Sequence, residues 1–375
     1  MTARKHCYER AMSSVCLALI LTACGGGSGS ETSATDKPPV VIAPDSSGKS
    51  PAPAPAPSPT PTPSPTPAPA PTPTPTPSPA PAPTPSPAPS PAPSGSSNIT
   101  VNSVYVGNQP AALGSYEAWL GTRSEAVQLH TGRANWTDWE SSIGWLANEW
   151  KDVNRTKYWT IPLFEQGGNL YAAAAGDYDD HYRNAARTLL DASPGNGPIH
   201  VRTGWEFNGN WQPWAAAGKE AEYRNGFRKF VEAFRSVSNR FRFEWAPNIG
   251  DLGMNPEDAY PGDDVVDIVG LSFYVHPDDP GGPDKTWDFA VTRSYGLQWQ
   301  QDFARSHGKK TAMSEWGVRS NDSGLIVDKA AEWFDRYDFV YQSYWDSNAD
   351  YPGQLSRDQY PSVSDDYREL VDLLE

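Results

Sequence analysis

The sequence predicts an α/β protein: a (β/α)8 TIM barrel over residues 98–375, preceded by a signal peptide and a disordered proline-rich linker. Three observations carry the fold. Eight short apolar runs recur along the domain with amphipathic helical patterns between them, an order that argues for a parallel sheet covered by helices. Eight strands in a stretch of that length fit a closed barrel better than a doubly wound sheet. No Gly-x-Gly-x-x-Gly follows the first run, which removes the usual dinucleotide signature.

In order, the strand runs are 102–106 (NSVYV), 127–130 (VQLH), 158–163 (YWTIPL), 199–203 (IHVRT), 241–245 (FRFEW), 267–273 (DIVGLSF), 310–314 (KTAMS) and 339–344 (FVYQSY). The helical patterns between them include 136–150, 178–191, 219–238, 295–307 and 323–336, where apolar residues recur at three- and four-residue spacing.

Ahead of the domain, Arg4, Lys5 and Arg10 precede an apolar run from Ala11 to Leu21 and then a small-residue site. That is a secretory signal over residues 1–23, too short for a comfortable membrane span. Leu21-Thr22-Ala23-Cys24 resembles the lipobox of bacterial lipoproteins. The resemblance implies lipid on Cys24, which becomes the new N-terminus and the chain's contact with a membrane. Gly25 follows rather than an aspartate, which implies the outer membrane of the cell envelope. An ordinary cleaved signal is the alternative. The three cysteines are Cys7, Cys16 and Cys24, so the domain has none for a disulfide, a nucleophile or a metal.

Residues 24–97 form the linker, Gly/Ser-rich at first. From Pro51 to Pro93 every second residue is proline, which fixes φ and removes the amide donor. Such a run stays in polyproline II and spans roughly 130 Å at about 3.1 Å per residue. It reads as a semi-rigid spacer, with a proline-rich ligand for a partner domain as the minor alternative.

The domain holds 25 basic and 41 acidic residues, a formal charge of −16. That surface argues against nucleic acid and anionic membrane as partners and leaves neutral substrates untouched. All fifteen tryptophans fall in the domain, several beside Gly, Asn or Asp in loop-like contexts. Indole faces in clefts stack well on flat apolar surfaces such as sugar rings.

In such barrels the reactive groups sit where strands end and the following loops begin. The strand ends supply His130, Glu165, Glu206, Asn248, Tyr274, Glu315 and Trp345. Glu206 follows the fourth run in Trp-Glu-Phe-Asn-Gly, and Glu315 follows the seventh in Ser-Glu-Trp-Gly. Two carboxyls facing each other across a cleft can cleave a glycosidic bond. One, protonated, gives its proton to the leaving oxygen; the other, ionised, attacks or stabilises the oxocarbenium-like carbon. Aromatic neighbours raise the acid's pKa by desolvation. Tyr274 can donate a hydrogen bond that keeps the second carboxyl ionised. Arg202, inward with Gly204 and Glu206 on an extended strand, orients a carboxylate, because a charge inside the barrel needs a partner. Unrelated loop carboxylates paired with Arg202 or Arg319 are the plain alternative. Glu244, one residue short of the fifth strand's end, is the runner-up acid.

At Glu206-Phe207-Asn208-Gly209-Asn210-Trp211 the sequence resembles the acid/base motif of glycoside hydrolase family 26, a clan A family of retaining glycosidases. The stretch from Tyr260 to Gly270 resembles that family's approach to its sixth strand, and Ser314-Glu315-Trp316-Gly317 its nucleophile motif. The resemblance implies Glu206 as acid/base, Glu315 as nucleophile, Tyr274 as the nucleophile's partner and Trp345 as a platform under the −1 sugar. The family usually has histidine where Trp205 stands, so recognition of that sugar differs here. Around the pair, Trp205, Asn208, Trp211 and His130 are further expected sugar contacts. Trp211 and Trp214 are each a candidate subsite wall or a packed loop aromatic, and a satisfied structural histidine is the alternative for His130. Asn208 holds either the loop or the substrate through its amide.

His276-Pro277-Asp278-Asp279 has the look of a cation site, but a solvated loop fits it better. No regular ligand spacing appears, so neither a catalytic metal nor a cofactor is expected. The expected activity is a retaining, endo-acting β-glycosidase, a monomer by default. Its substrate is a polysaccharide, whether β-mannan (an endo-β-mannanase), β-xylan, β-glucan or a bacterial exopolysaccharide. A non-catalytic carbohydrate-binding envelope lipoprotein is the alternative; it would need the tryptophans but not both carboxyls.

Overall fold

The computed structural model describes residues 100–275, 282–337 and 339–374, apart from the side chains of 283 and 284. The signal, Cys24, the proline-rich linker and the segment beginning at His276 lie outside the described residues. The first half of the barrel runs β1 Val101–Tyr105, α1 Pro110–Leu120, β2 Ala126–His130, α2 Trp136–Glu149, β3 Thr156–Thr160, α3 Leu170–Ala175, α4 Asp179–Asp191 and β4 Ile199–Arg202. The second half runs α5 Glu220–Val237, β5 Phe241–Trp245, β6 Ile268–Tyr274, α6 Gly282–Thr292, α7 Leu297–Ser306, β7 Lys310–Gly317, α8 Gly324–Arg336, β8 Phe339–Trp345 and α9 Pro361–Leu374.

Neighbours in sequence are neighbours in the sheet, every pairing is parallel, and β8 pairs back onto β1 to close the barrel. The TIM barrel is therefore as expected. All eight strands fall within a few residues of their predicted runs. Four helices, α1, α3, α6 and α9, join the five expected ones; α1 buries only Leu113, Tyr116 and Leu120.

Strand period two sorts the core into layers. On β5, Phe241, Phe243 and Trp245 pack against the helices, with Phe241 5.1 Å from Phe234 on α5 between ring centroids. The intervening Glu244 points inside the barrel. There a small cluster of Ala126, Tyr158, Ile268, Ala312 and Tyr341 forms a plug, with Tyr158 and Tyr341 stacked at 3.7 Å. Asparagines at the loop–helix junctions satisfy exposed helix amides: Asn135 accepts from Asp138 N–H at 3.0 Å at the start of α2.

Candidate active site

Glu315 was expected just past a strand; it lies inside β7, which runs on to Gly317. On a regular strand, Ala312 facing inward and Met313 facing the helices would send Glu315 to the helix side. A bulge prevents this. Leu271 on β6 pairs with Met313, but the next residue, Ser272, pairs with Glu315, so Ser314 is the extra residue.

Glu315 thus turns inward at the C-terminal end of the strands. Arg202 Nη2 donates to its Oε2 at 2.5 Å and Tyr274 Oη to its Oε1 at 2.6 Å. Burial alone would raise this carboxyl. The Arg202 guanidinium, His130 and the Tyr274 hydroxyl together outweigh burial and hold it below the usual range, so it is ionised at neutral pH. His130 Nε2 stands 3.9 Å from Oε2. Burial pushes the His130 pKa down to about 3, with Arg202 and Arg133 opposing Glu315 in the same direction. His130 therefore faces Glu315 as a neutral ring.

Glu206 reaches the same place by another route. The extended alternation of Arg202, Gly204 and Glu206 does not hold, because β4 ends at Arg202. Gly204 and Glu206 both turn left-handed, at φ 58° and 54°. Glycine takes that conformation freely, while for a glutamate it costs on the order of 1–3 kcal/mol. The Glu206 N–H donating to Ala246 O at 2.8 Å helps to hold the turn. Its Oε2 accepts from Trp211 Nε1 at 2.7 Å and its Oε1 from Asn248 Nδ2 at 3.1 Å. Burial first, then the charge of Glu315, raises the Glu206 pKa; Trp211 and Arg202 offset only part of this. Gly209 gives Trp211 its reach: a Cβ there would sit 2.3 Å from the indole.

Around the pair stands an aromatic wall. Tyr105 and Trp345 stack at 4.1 Å, and His130 meets Trp345 edge-on at 5.6 Å. Trp345 is buried, and its indole N–H has no hydrogen-bond partner among the described residues. Tyr351 adds to this wall, 4.4 Å from Tyr274. Tyr105 could have been found by the same strand-end rule that gave His130. Tyr351, in the loop after β8, carries no such signal.

The other expected residues are sorted differently. Asn208 is buried, donating to Asn248 O at 2.8 Å and accepting from Asn248 N at 2.8 Å. Its amide holds the loop that brings Asn248 to Glu206, the first of the two uses foreseen for it. Trp205 is buried with its ring 5.5 Å from the Arg202 guanidinium, edge-on to His130 and against Trp214. Trp214 is fully buried and donates to Trp205 O, a packed aromatic and not a subsite wall. Glu165 closes its own loop by accepting from Gly167 N–H. Glu244 is no rival acid: it is buried within the barrel, bonded to Ser314 and Tyr341. No group of three metal-ligating side chains occurs among the described residues. A surface groove of about 530 Å³ beside Trp136, Glu140 and His181 shares no residue with this site.

Arg202 pairing with Glu315, foreseen as the plain alternative, is thus part of the site. Two buried carboxyls, one with its pKa raised and the other with its pKa lowered, stand at the C-terminal end of a parallel barrel beside an aromatic wall, an arrangement suited to two-carboxylate acid/base chemistry. Part of this barrel is similar in sequence to glycoside hydrolase family 26. The profile of glycosyl hydrolase family 26 matches residues 179–290, which include Arg202, Glu206 and Tyr274 but not Glu315 or Trp345.

Among curated proteins, the chain is similar to β-1,3-xylanase TXYA of a Vibrio species, 25% identical over 229 residues, 56% of this chain and 44% of that protein. A β-1,3-xylanase of an Alcaligenes species is 23% identical over 216 residues, 56% of this chain and 43% of that protein. The chain thus spans less than half the length of these relatives. Among solved structures, a modular endo-β-1,4-mannanase from Cellulomonas fimi superposes with a TM-score of 0.54 at 19% identity, covering 72% of this chain and 71% of that one. The catalytic domain of a Bacillus sp. JAMB-750 endo-β-1,4-mannanase gives 0.55 at 15% identity, covering 74% and 86%. These two likenesses establish the fold.

Proposed function

We propose that the protein is a retaining, endo-acting β-glycosidase that cleaves a polysaccharide by double displacement. Glu315 attacks the anomeric carbon while Glu206 protonates the departing glycosidic oxygen, leaving a covalent glycosyl-enzyme. Glu206, now ionised, takes a proton from water, whose oxygen displaces Glu315 with the same configuration restored. The observation that carries this reading is the pair of buried carboxyls with opposed pKa shifts, Glu206 raised chiefly by burial and Glu315 lowered by Arg202, His130 and Tyr274. This route uses carboxyls about 5–5.5 Å apart. The endo mode is carried over from the sequence, where tryptophans recur in several loops of the domain.

Among β-mannan, β-xylan, β-glucan and bacterial exopolysaccharide, β-1,3-xylan comes first, because both curated relatives carry that activity in their names. β-1,4-Mannan is next, by fold likeness alone. The decisive experiment incubates the protein with these polymers and follows new reducing ends, beside Glu206→Gln and Glu315→Gln. Cleavage of one polymer, lost in both variants, with the β-anomer released first by NMR, is the expected result. Binding without cleavage across the panel would instead make this a carbohydrate-binding protein.

The proposal includes a lipid tether at Cys24 in the outer membrane, with residues 24–97 as the spacer. It rests on the lipobox-like Leu21-Thr22-Ala23-Cys24. Detergent phase partitioning should find the wild type in the detergent phase and Cys24→Ser in the aqueous phase. Equal partitioning of the two would remove the tether.

A further inference from the structure

One buried carboxyl has no part in the proposed reaction. Glu244 is 3% exposed, inside the barrel, with the apolar residues of β5 turned away from it toward the helices. Isolated carboxyls are costly in such a place and persist only when hydrogen-bonded. Two hydroxyls supply the bonds. Ser314 Oγ donates to Glu244 Oε1, and Tyr341 Oη donates to Oε2 at 2.7 Å.

Ser314 is also the extra residue of the β7 bulge. A bulge removes one ladder position, and here the lost contact is remade by a side chain: Leu271 N–H donates to Ser314 Oγ at 3.1 Å. Gln128 Nε2 donates to Ser314 O at 2.8 Å from the opposite wall. Gly270 on β6 leaves the room for this arrangement. A Cβ there would come within 2.1 Å of Ser314 Oγ and 2.3 Å of Glu244 Oε1. The chain from Tyr341 through Glu244 to Ser314 ends on the residue whose insertion turns Glu315 from the helix side to the cleft.

We infer that Glu244 is a positioning residue: through Ser314 it fixes the β7 bulge and so holds the Glu315 carboxyl against Arg202 and Tyr274. The inference rests on the proposed function for its consequence in catalysis but not for its geometry. Burial raises the Glu244 pKa, with Arg202 opposing, and both its oxygens are held by hydroxyls inside the barrel. A displacement of about 1 Å in a reacting group can cost up to about 10²-fold in rate.

The test uses Glu244→Gln, which keeps the shape but replaces one accepting oxygen with a donor, and Ser314→Ala, which removes the hydroxyl. Both are made in the full chain. Carboxyl NMR of Glu315 reads its titration midpoint without any substrate. Loss of the anchor loosens Glu315 from Arg202 and Tyr274, so its midpoint should rise in both variants, and the double variant should add little to either single. In turnover of the polymer, kcat should fall between about tenfold and 10²-fold with KM little changed, and the acid limb of the pH profile should follow the midpoint upward. A fall in the Glu315 midpoint would mean that Glu244 acts only as a neighbouring charge. An unchanged midpoint in a folded variant would mean that it is structural filling. Either result overturns the inference. A wild type that turns over no polymer would sink the proposed function and leave the NMR arm to decide this one.

Discussion

At Glu206 two opposed influences meet on one carboxyl. Burial and the charge of Glu315 raise its pKa, while the Trp211 N–H favours the ionised form. Removing that donor in Trp211→Phe should raise the acid further. A general acid works while protonated, so the basic limb of the kcat/KM profile should move to higher pH. A pH-rate series checks this, and a limb that stays put or moves down would remove Trp211 from the acid's control. Glu206 and Glu315 stood out together in the sequence because both follow predicted strand runs and lie beside tryptophans, although β4 stops at Arg202 and β7 runs on to Gly317. The partners were less legible. Arg202 and Tyr274 followed from the need to support a buried charge, but Tyr105 was passed over at an equivalent strand end. Asn248 was noted only by its place at a strand end, since its bond to Glu206 depends on how the loop after β5 is held by Asn208.

Each strand brings its residues to the site with a different local device. β7 uses a bulge, and the segment after β4 uses two left-handed residues followed by Gly209, over which the Trp211 ring lies. Gly209→Ala would set a methyl 2.3 Å from that ring, so the indole must move and its bond to Glu206 must break. We expect a loss of roughly tenfold or more in kcat, within the range for a misplaced catalytic group, with thermal unfolding shifted by only a few degrees. Activity assays beside a melting curve test it; a full-rate variant would show that the indole tolerates displacement. These devices explain where sequence reading stopped. Period-two alternation finds β4 and β7, and their order gives the barrel. It cannot see that the chain leaves the extended conformation at Thr203, nor that Ser314 and Glu315 face the same way. A Ser-Glu pair inside a strand looks the same with or without a bulge, because the deciding contacts come from Glu244 and Leu271 on other strands.

Over the whole molecule, the excess of acidic residues has a consequence for the choice of polymer. A domain with a formal charge of −16 repels anionic chains at low ionic strength and is indifferent to neutral ones. Raising salt from about 10 to 200 mM, from long to short screening length, should leave kcat/KM on a neutral polysaccharide within about twofold. On a carboxylated analogue it should increase. Equal salt response on both would mean that the cleft does not feel the surface charge.

The closure of the barrel also joins the two ends of the domain at one point of the site. β1 and β8 run in register from Val101↔Tyr341 to Tyr105↔Trp345, and that last pair is the stacked Tyr105–Trp345 wall. The platform expected under the sugar therefore straddles the seam of the cylinder, with half of it made near the start of the domain and half near its end. During synthesis, Glu206 and Glu315 both emerge before Trp345 exists to stack on Tyr105. A chain that has not yet zipped its last strand onto its first has both carboxyls but not the stacked Tyr105–Trp345 pair. The β1–β8 pairing, which closes the barrel across the greatest separation in sequence, is thus also what brings the two rings of that wall together.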